Sequence, residues 1–244
     1  MPTRAKLKVA VRSCAALEDV TIEQMFTLFD AYYERADRAR FLDDLAGKQH
    51  VILLTMPDTG QVKGFSTVRV LTQQDVGVPG RFVYSGDTVV DKAYWGGKAL
   101  HMGFLRVLMT LRYSHPRTPL YWLLTAKGYR TYLLMTHYLA DAYPRHDRPT
   151  PPAMEQLRHH LGTMRYGDKY DPATGVVRHD GVLDRLRGGI ADVSQEELVD
   201  PDIRFFQRAN PGHADGDELL CLGHVHKLDP ARVLPKFLAQ RWRR

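Results

Sequence analysis

The sequence predicts a mixed α/β (α+β) fold, in which helices flank a central sheet. Three observations predict it. Two helical segments follow a first strand, a group of three strand-like segments begins with a hairpin, and the chain then alternates helix, strand and helix. With 244 residues, of which 44% are hydrophobic, the chain is long enough to bury a core without staples.

The first segments show a change from strand to helix periodicity. Residues 7–14 alternate apolar and charged side chains and predict the first strand. Residues 22–35 repeat large apolar side chains at helical spacing, with Thr21 as the predicted N-cap. A shorter helix is predicted over residues 37–46, and Gly47 ends it.

The next segments read as the strands of the sheet. Residues 50–56 form a continuous apolar run, typical of a strand that is buried on both faces. A turn signal at residues 58–61 joins it to the alternating residues 62–71, so we expect a hairpin. Residues 81–90 predict a third strand of this group, and residues 98–113 predict the helix that follows it.

The remaining elements are less regular. A buried strand is predicted over residues 120–125 and a helix over residues 129–142. Four prolines between residues 144 and 152 mark a change of direction. Beyond them the sequence predicts a short helix, hairpin-like turns, a strand and a terminal helix, over residues 155–164, 168–180, 218–225 and 232–243. Because this part has few large apolar residues, we expect a core over residues 1–145 and an elaboration over residues 146–244 that packs on it.

Composition excludes several classes of protein. The formal charge is +6 and the pI about 9.3, which suits acidic ligands such as phosphates, nucleic acid or anionic lipid without choosing among them. Only Cys14 and Cys221 are present, so a disulfide framework and a CxxC metal site are excluded. No apolar run approaches the roughly 18 residues of a membrane span. We therefore expect a cytoplasmic protein with two reduced thiols.

Residues 89–100, between the third strand of the group and the helix that follows it, are the segment that most clearly indicates a ligand site. Gly96 and Gly97 let the backbone approach a ligand closely, and a helix N-terminus near Lys98 directs its free N–H groups to the same place. Lys92 and Lys98 add positive charge, and the combination suits a pyrophosphate. The segment is neither a Walker A loop nor a GxGxxG fingerprint, and a plain tight turn before a helix stays open.

The order of elements and this loop resemble the GNAT acyl-CoA N-acyltransferase superfamily over roughly residues 8–143. Its coenzyme A loop reads Gln/Arg-x-x-Gly-x-Gly/Ala. Gly97 and Ala99 match the glycine and the small final residue, whereas Tyr94 replaces the Gln or Arg. A second superfamily pattern, Asn-x-x-Ala-x-x-x-Tyr, keeps its tyrosine as Tyr132, and its first two positions are replaced.

The resemblance implies a mixed, mostly antiparallel central sheet and a metal-free reaction. The donor would be acetyl-CoA or another acyl-CoA, and an unidentified amine acceptor would attack its thioester directly. Tyr132 would protonate the departing thiolate, and Asp87, beside a bulge expected at Gly86, would take the amine proton. The residues expected to bind the coenzyme are Val89, Val90, Trp95, Gly96, Gly97, Lys98 and Ala99.

Other interpretations stay open at this stage. The fold could serve as a non-catalytic module that binds nucleic acid or a protein partner through a basic surface, comprising Arg12, Arg81, Arg130, Arg145, Arg148 and the terminal Arg-Trp-Arg-Arg. The donor could also differ, because the same scaffold occurs in acyl-homoserine-lactone synthases and aminoacyl-transferring enzymes. A metal site from His213, Asp217, His224 and His226 is a weaker alternative, and a homodimer is left open.

Overall fold

The computed structural model describes residues 6–179, 185–190 and 192–226. Within these ranges the strands are β1 (Lys8–Ser13), β2 (His50–Thr55), β3 (Val62–Thr72), β4 (Arg81–Val90), β5 (Leu120–Ala126), β6 (Ala142–Tyr143), β7 (Tyr170–Asp171), β8 (Val176–Val177) and β9 (Glu218–His224). The helices are α1 (Asp19–Tyr32), α2 (Arg38–Ala46), α3 (Gln73–Val76), α4 (Ala99–Ser114), α5 (Tyr129–Thr136), α6 (Pro152–Tyr166) and α7 (Pro201–Ala209).

All nine of these strands belong to one sheet. Its order is β1-β2-β3-β4-β5-β9-β8-β7, and the short β6 pairs with β9. Neighbouring strands run antiparallel except β4 and β5, which are parallel and are joined by α4 as a crossover. The predicted mixed, mostly antiparallel sheet flanked by helices is therefore confirmed.

The two faces of the sheet carry different helices because the side chains of its strands alternate. On β2, Ile52 lies in the cluster that α4 covers, and Leu53 lies in the cluster that α1 and α2 cover. Gly103 of α4 packs directly on Ile52, so any larger residue there would meet the isoleucine side chain. A third cluster lies under α6 and is built on Tyr84, Leu123 and Leu220. The sheet is thus covered on both sides, as the long apolar strands predict.

Several element ends differ from the sequence prediction. Thr21 is not the N-cap of α1, because its own N–H already donates to the carbonyl of Glu18, which is the residue before the helix. The helix predicted over residues 129–142 ends at Thr136, because the chain turns there to bring Ala142–Tyr143 alongside β9. The helix α7 was not foreseen. The predicted terminal helix over residues 232–243 lies outside the described residues.

The segment after residue 145 shares the sheet with the segment before it. The strand β9 pairs with β5 on one side and with β8 on the other. Helix α7 packs against α5, and Phe206 of α7 is fully buried in the same cluster as Tyr132. The boundary predicted near residue 145 therefore falls within one continuous sheet.

Candidate functional site

The two parallel strands at the centre of the sheet separate part-way along their length. Strands β4 and β5 pair from Arg81 opposite Leu120 to Ser85 opposite Leu124. Beyond that point β4 stays with β3, and β5 stays with β9. Backbone groups of β4 on the β5 side are thereby released from the ladder, and a V-shaped opening forms in the sheet.

A bulge in β4 lies at the start of this opening. Ser66 of β3 faces Thr88, and Val68 faces Ser85, so Gly86 and Asp87 together stand opposite Thr67. A Cβ atom on Gly86 would lie 2.6 Å from the Thr67 hydroxyl oxygen, which explains the glycine. The bulge predicted at Gly86 is confirmed.

The opening leads into a cavity of about 920 Å³. It extends from the glycine-containing loop, through the split between β4 and β5, to the ends of α1, α2 and β9. Asp87 lines it at the bulge, in a half-buried position. The seven residues predicted to bind the coenzyme also line it: Val89, Val90, Trp95, Gly96, Gly97, Lys98 and Ala99.

The loop at one end of the cavity has the backbone geometry that an anion site requires. A single helical turn, Lys92–Tyr94, is capped by the Asp91 carboxylate, which accepts from the Ala93 N–H at 3.0 Å. Gly96 has φ of +74°, a conformation that glycine adopts readily. Helix α4 then begins at Ala99 without a side-chain cap from Lys98. The first N–H groups of a 16-residue helix therefore face the cavity with the positive end of its dipole.

Trp95 fixes this loop to the sheet, and its ring system contacts the guanidinium of Arg130. Its indole N–H donates to the Val90 carbonyl at 2.8 Å. The guanidinium carbon of Arg130, at the start of α5, lies 4.1 Å from the centre of the Trp95 ring system and 4.4 Å from that of Tyr129. Arg130 lines the cavity, whereas the sequence had placed it on a general basic surface.

Tyr132 does not face the cavity. Its side chain is fully buried beside Phe205 and Phe206, and its hydroxyl donates to the Pro144 carbonyl at 3.1 Å. Burial raises the pKa of Tyr132 above its ordinary value. Thr131, on the same helix, lines the cavity instead. The proton-donor role that the resemblance implies for Tyr132 thus has no support from its position.

A polar cluster at the other end of the cavity was missed by sequence reasoning. The Glu218 carboxylate lies 3.2 Å from the His179 ring nitrogen Nε2 and 3.8 Å from Nζ of Lys127. Burial alone would raise the pKa of Glu218, yet the nearby Lys127 and His179 hold this pKa below its ordinary value. All three residues line the cavity. The only signal in the sequence was a glutamate at the start of an apolar strand.

Charge is unevenly distributed along the cavity. Lys98 and Arg130 lie at the loop end. The carboxylates that line it within the described residues lie at the N-cap of α2, within α2, at the bulge and in β9: Asp37, Asp44, Asp87 and Glu218. Arg40 and Lys127 accompany them. A polyanionic ligand is therefore favoured at the loop end, and a polar ligand of mixed charge at the other.

One histidine in the cavity wall is kept neutral. His101 lies in the first turn of α4 with its ring centre 4.3 Å from that of Tyr138. Burial lowers the pKa of His101 to about 4. Its Nδ1 has no hydrogen-bond partner within the described part of the chain. An uncharged imidazole thus borders the anion-favouring end.

His224 and His226 lie side by side, with ring centres 4.1 Å apart, but the four residues of the weaker metal alternative do not form one cluster. His213 bonds to the Asn210 carbonyl, Asp217 accepts from the backbone N–H of His179, and His226 pairs with Asp141. Across residues 6–179, 185–190 and 192–226, no group of three or more His, Cys, Asp or Glu side chains could hold a metal ion.

None of the helices in this part of the chain is long and apolar enough to cross a membrane.

The comparisons with known proteins concern the fold. No family model and no curated protein matches the chain. Among solved structures it is similar to a GNAT family N-acetyltransferase, YhbS, from Escherichia coli in complex with CoA, with 16% identity and a TM-score of 0.38, over 52% of this chain and 66% of that one.

Two further structures match in the same way. An acyl-CoA N-acyltransferase from Pseudomonas aeruginosa is 20% identical over 50% of this chain and 80% of its own, with a TM-score of 0.38. Escherichia coli ElaA is 18% identical over 59% and 95%, with a TM-score of 0.39. Each of these three matches covers between 50% and 59% of this chain.

Proposed function

We propose that the protein is an acyl-CoA-dependent N-acyltransferase, acetyltransferase-like, that acts by direct attack of an amine on the thioester. One observation carries the proposal. The sheet splits beyond Ser85 and Leu124 into a cavity of about 920 Å³ that continues to the uncapped N-terminus of α4. An elongated ligand with phosphates at one end and a reactive group at the other suits this shape.

The donor would bind along the loop and the split. The Gly97 N–H donates to the Tyr94 carbonyl at 3.1 Å, so the backbone N–H groups of Lys98 and Ala99 would face the pyrophosphate, with the dipole of α4 behind them. Beyond Ser85, the backbone N–H and C=O groups of β4 that point away from β3 no longer pair with β5. They can bond the amides of an extended pantetheine arm in the way that an added strand would. This places the thioester near the bulge at Gly86.

The acceptor would enter from the end formed by α1, α2 and β9. Asp87 at the bulge is our candidate for the group that takes the amine proton, directly or through a water. A backbone N–H beside the bulge would stabilise the developing oxyanion. Glu218, His179 and Lys127 would border the acceptor and not the donor. As the new amide C–N bond forms, the thioester C–S bond breaks, and the CoA thiolate takes its proton from water or from the protonated Asp87.

The first experiment tests donor binding. We expect acetyl-CoA or a longer acyl-CoA to raise the melting temperature of the wild type. Gly97→Glu, which introduces a carboxylate at the phosphate end, should abolish this shift, and so should Lys98→Glu. Arg117→Glu is the matched control, because Arg117 is exposed in the loop after the other end of α4. No stabilisation of the wild type by any CoA ester would overturn the proposal.

The second experiment tests transfer. With a panel of amines, release of free CoA should depend on amine and acyl-CoA together. Asp87→Asn should lower kcat by about 10²–10⁴ and leave the CoA-induced melting shift unchanged. Asp43→Asn, which removes an exposed carboxylate of α2, is the control. Equal rates for Asp87→Asn and the wild type would exclude Asp87 as the base.

The alternative of a binding module with a basic patch is less favoured. Arg81 lies at the start of β4 and Arg130 follows the end of β5, so the parallel pair separates them along its length. Arg145 and Arg148 both bond to the Ala140 carbonyl and lie beside Asp147. The terminal arginines lie outside the described residues. Arg81 and Arg130 of the predicted patch are therefore separated, and the charges of Arg145 and Arg148 are partly offset by Asp147.

A further inference from the structure

We propose that Arg130 binds a phosphate group of the donor and takes the place of the arginine or glutamine that the loop lacks at Tyr94. The inference rests on the proposed function and names one residue of its donor site. Arg130 belongs to α5, 36 positions after Tyr94 in the sequence, so no loop motif could reveal it.

The position of the guanidinium is fixed before any ligand arrives. The Trp95 and Tyr129 rings hold it at 4.1 and 4.4 Å, and Trp95 is itself fixed by its hydrogen bond to Val90. A planar, always-charged group held by aromatic rings loses little conformational entropy when it binds an oxyanion. The arginine is thus preorganised on Trp95 in the wall of the cavity.

Arg130 already binds a carboxylate of the protein itself, that of Glu197. Arg130 donates to the Glu197 carboxylate at 3.0 Å and to the Ile190 carbonyl at 3.3 Å. Glu197 is partly desolvated, but hydrogen bonds from Tyr129 and Ser194 and the charge of Arg130 lower its pKa, so it is ionised at neutral pH. Glu197 therefore marks a geometry in which this guanidinium bonds an anion.

A phosphate of the donor can bind Arg130 together with the Glu197 carboxylate or in its place. A guanidinium has five N–H donors, and the two bonds to Glu197 and Ile190 use only part of them. We expect the donor phosphate to bond to the remaining N–H groups or to displace Glu197. Removal of the Glu197 charge should then strengthen donor binding, because the charge of Arg130 is no longer offset.

The experiment compares CoA with 3′-dephospho-CoA by isothermal titration. Arg130→Gln should weaken CoA binding by about tenfold, as expected for one charge-assisted contact. If the partner is the 3′-phosphate, binding of 3′-dephospho-CoA will be unchanged by the substitution. If it is the pyrophosphate, both ligands will weaken alike. Glu197→Gln should bind CoA more tightly than the wild type.

Two further variants keep the test decisive. Arg204→Gln is the matched control, because Arg204 is exposed and donates to the Leu198 and Val199 carbonyls of the same segment without reaching the loop. Arg130→Met, which removes the charge and keeps an unbranched side chain, replaces Arg130→Gln if that variant does not fold. Unchanged CoA affinity in the Arg130 variants would overturn the inference. Failure of the wild type to bind CoA would instead overturn the proposed function, and the inference with it.

Discussion

Gly86 of β4 stands opposite Thr67 of β3 with no room for a side chain between them. A Cβ there would lie 2.6 Å from the Thr67 hydroxyl oxygen and 2.9 Å from Cε of the buried Lys48. This close approach fixes the bulge, and the bulge brings Asp87 to the wall of the cavity. A local steric constraint thereby determines where the candidate base lies.

Gly86→Ala should therefore destabilise the protein. We expect a loss of about 1–3 kcal/mol in the free energy of unfolding, measured by urea denaturation, because the added methyl overpacks a closed site. Thr67→Ala should restore part of this loss in the double variant, since the Thr67 hydroxyl has no hydrogen-bond partner in the described chain. Gly47→Ala is the control, because a Cβ there meets only ordinary contacts. Equal stability of Gly86→Ala and Gly47→Ala would contradict the steric account.

Tyr132→Phe should separate a structural role from a catalytic one. The substitution removes a hydrogen bond to the Pro144 carbonyl in a fully buried site, so about 1 kcal/mol of stability should be lost. Because Tyr132 lies outside the cavity, kcat for acyl transfer should stay within about twofold of the wild type, a change well below the tenfold steps that a lost catalytic group causes. A large fall in kcat with unchanged stability would restore the proton-donor role.

The low pKa of His101 makes stability depend on pH. The folded-state pKa of about 4 lies below the ordinary value of 6.5, so the unfolded chain binds more protons between these values. Stability contributed by neutral His101 is fully present above pH 6.5 and is lost as the pH falls towards 4.

His101→Gln should flatten this part of the curve. We expect the fall in unfolding free energy between pH 6.5 and 4 to be smaller in the variant by up to about 3 kcal/mol. Thermal melts across this range provide the measurement. His50→Gln, at the start of β2, is the control. Parallel curves for the wild type and His101→Gln would show that His101 does not titrate in this way.

The charges of Glu218, His179 and Lys127, at the acceptor end of the cavity, should stabilise the folded protein. Glu218→Gln leaves Lys127 and His179 without their carboxylate, and we expect a loss of about 1–3 kcal/mol. Combined with Lys127→Met, the loss should be smaller than the sum of the two single losses. Glu196→Gln, at an exposed position, is the control. Strictly additive losses would show that the two charges do not interact.

Activity assays extend the same comparison. If the cluster borders the acceptor, Glu218→Gln should raise KM for the amine and leave the affinity for CoA unchanged. A loss of CoA affinity in this variant would contradict the division of the cavity into a donor end and an acceptor end.

The fold could be predicted in large part because its elements rest on local patterns. The bounds of β4 were predicted exactly as residues 81–90, since alternation and β-branched residues are properties of consecutive positions. The bulge at Gly86 and the loop at Gly96 and Gly97 were also predictable, because glycine marks places where the backbone needs room or a positive φ. The early end of α5 was not, because the pairing of β6 with β9 decides it.

What the sequence by itself determined is therefore the order of the elements, the position of a bulge at Gly86 in β4, and the loop at the start of α4. Only the tertiary structure decided that Tyr132 points into the core, that Arg130 lies on Trp95, and that Glu218 meets His179 and Lys127. The physical reason is distance along the chain. Glu197 lies 67 positions from Arg130, and Glu218 lies 39 from His179, so tertiary packing and not any local pattern brings these charges together.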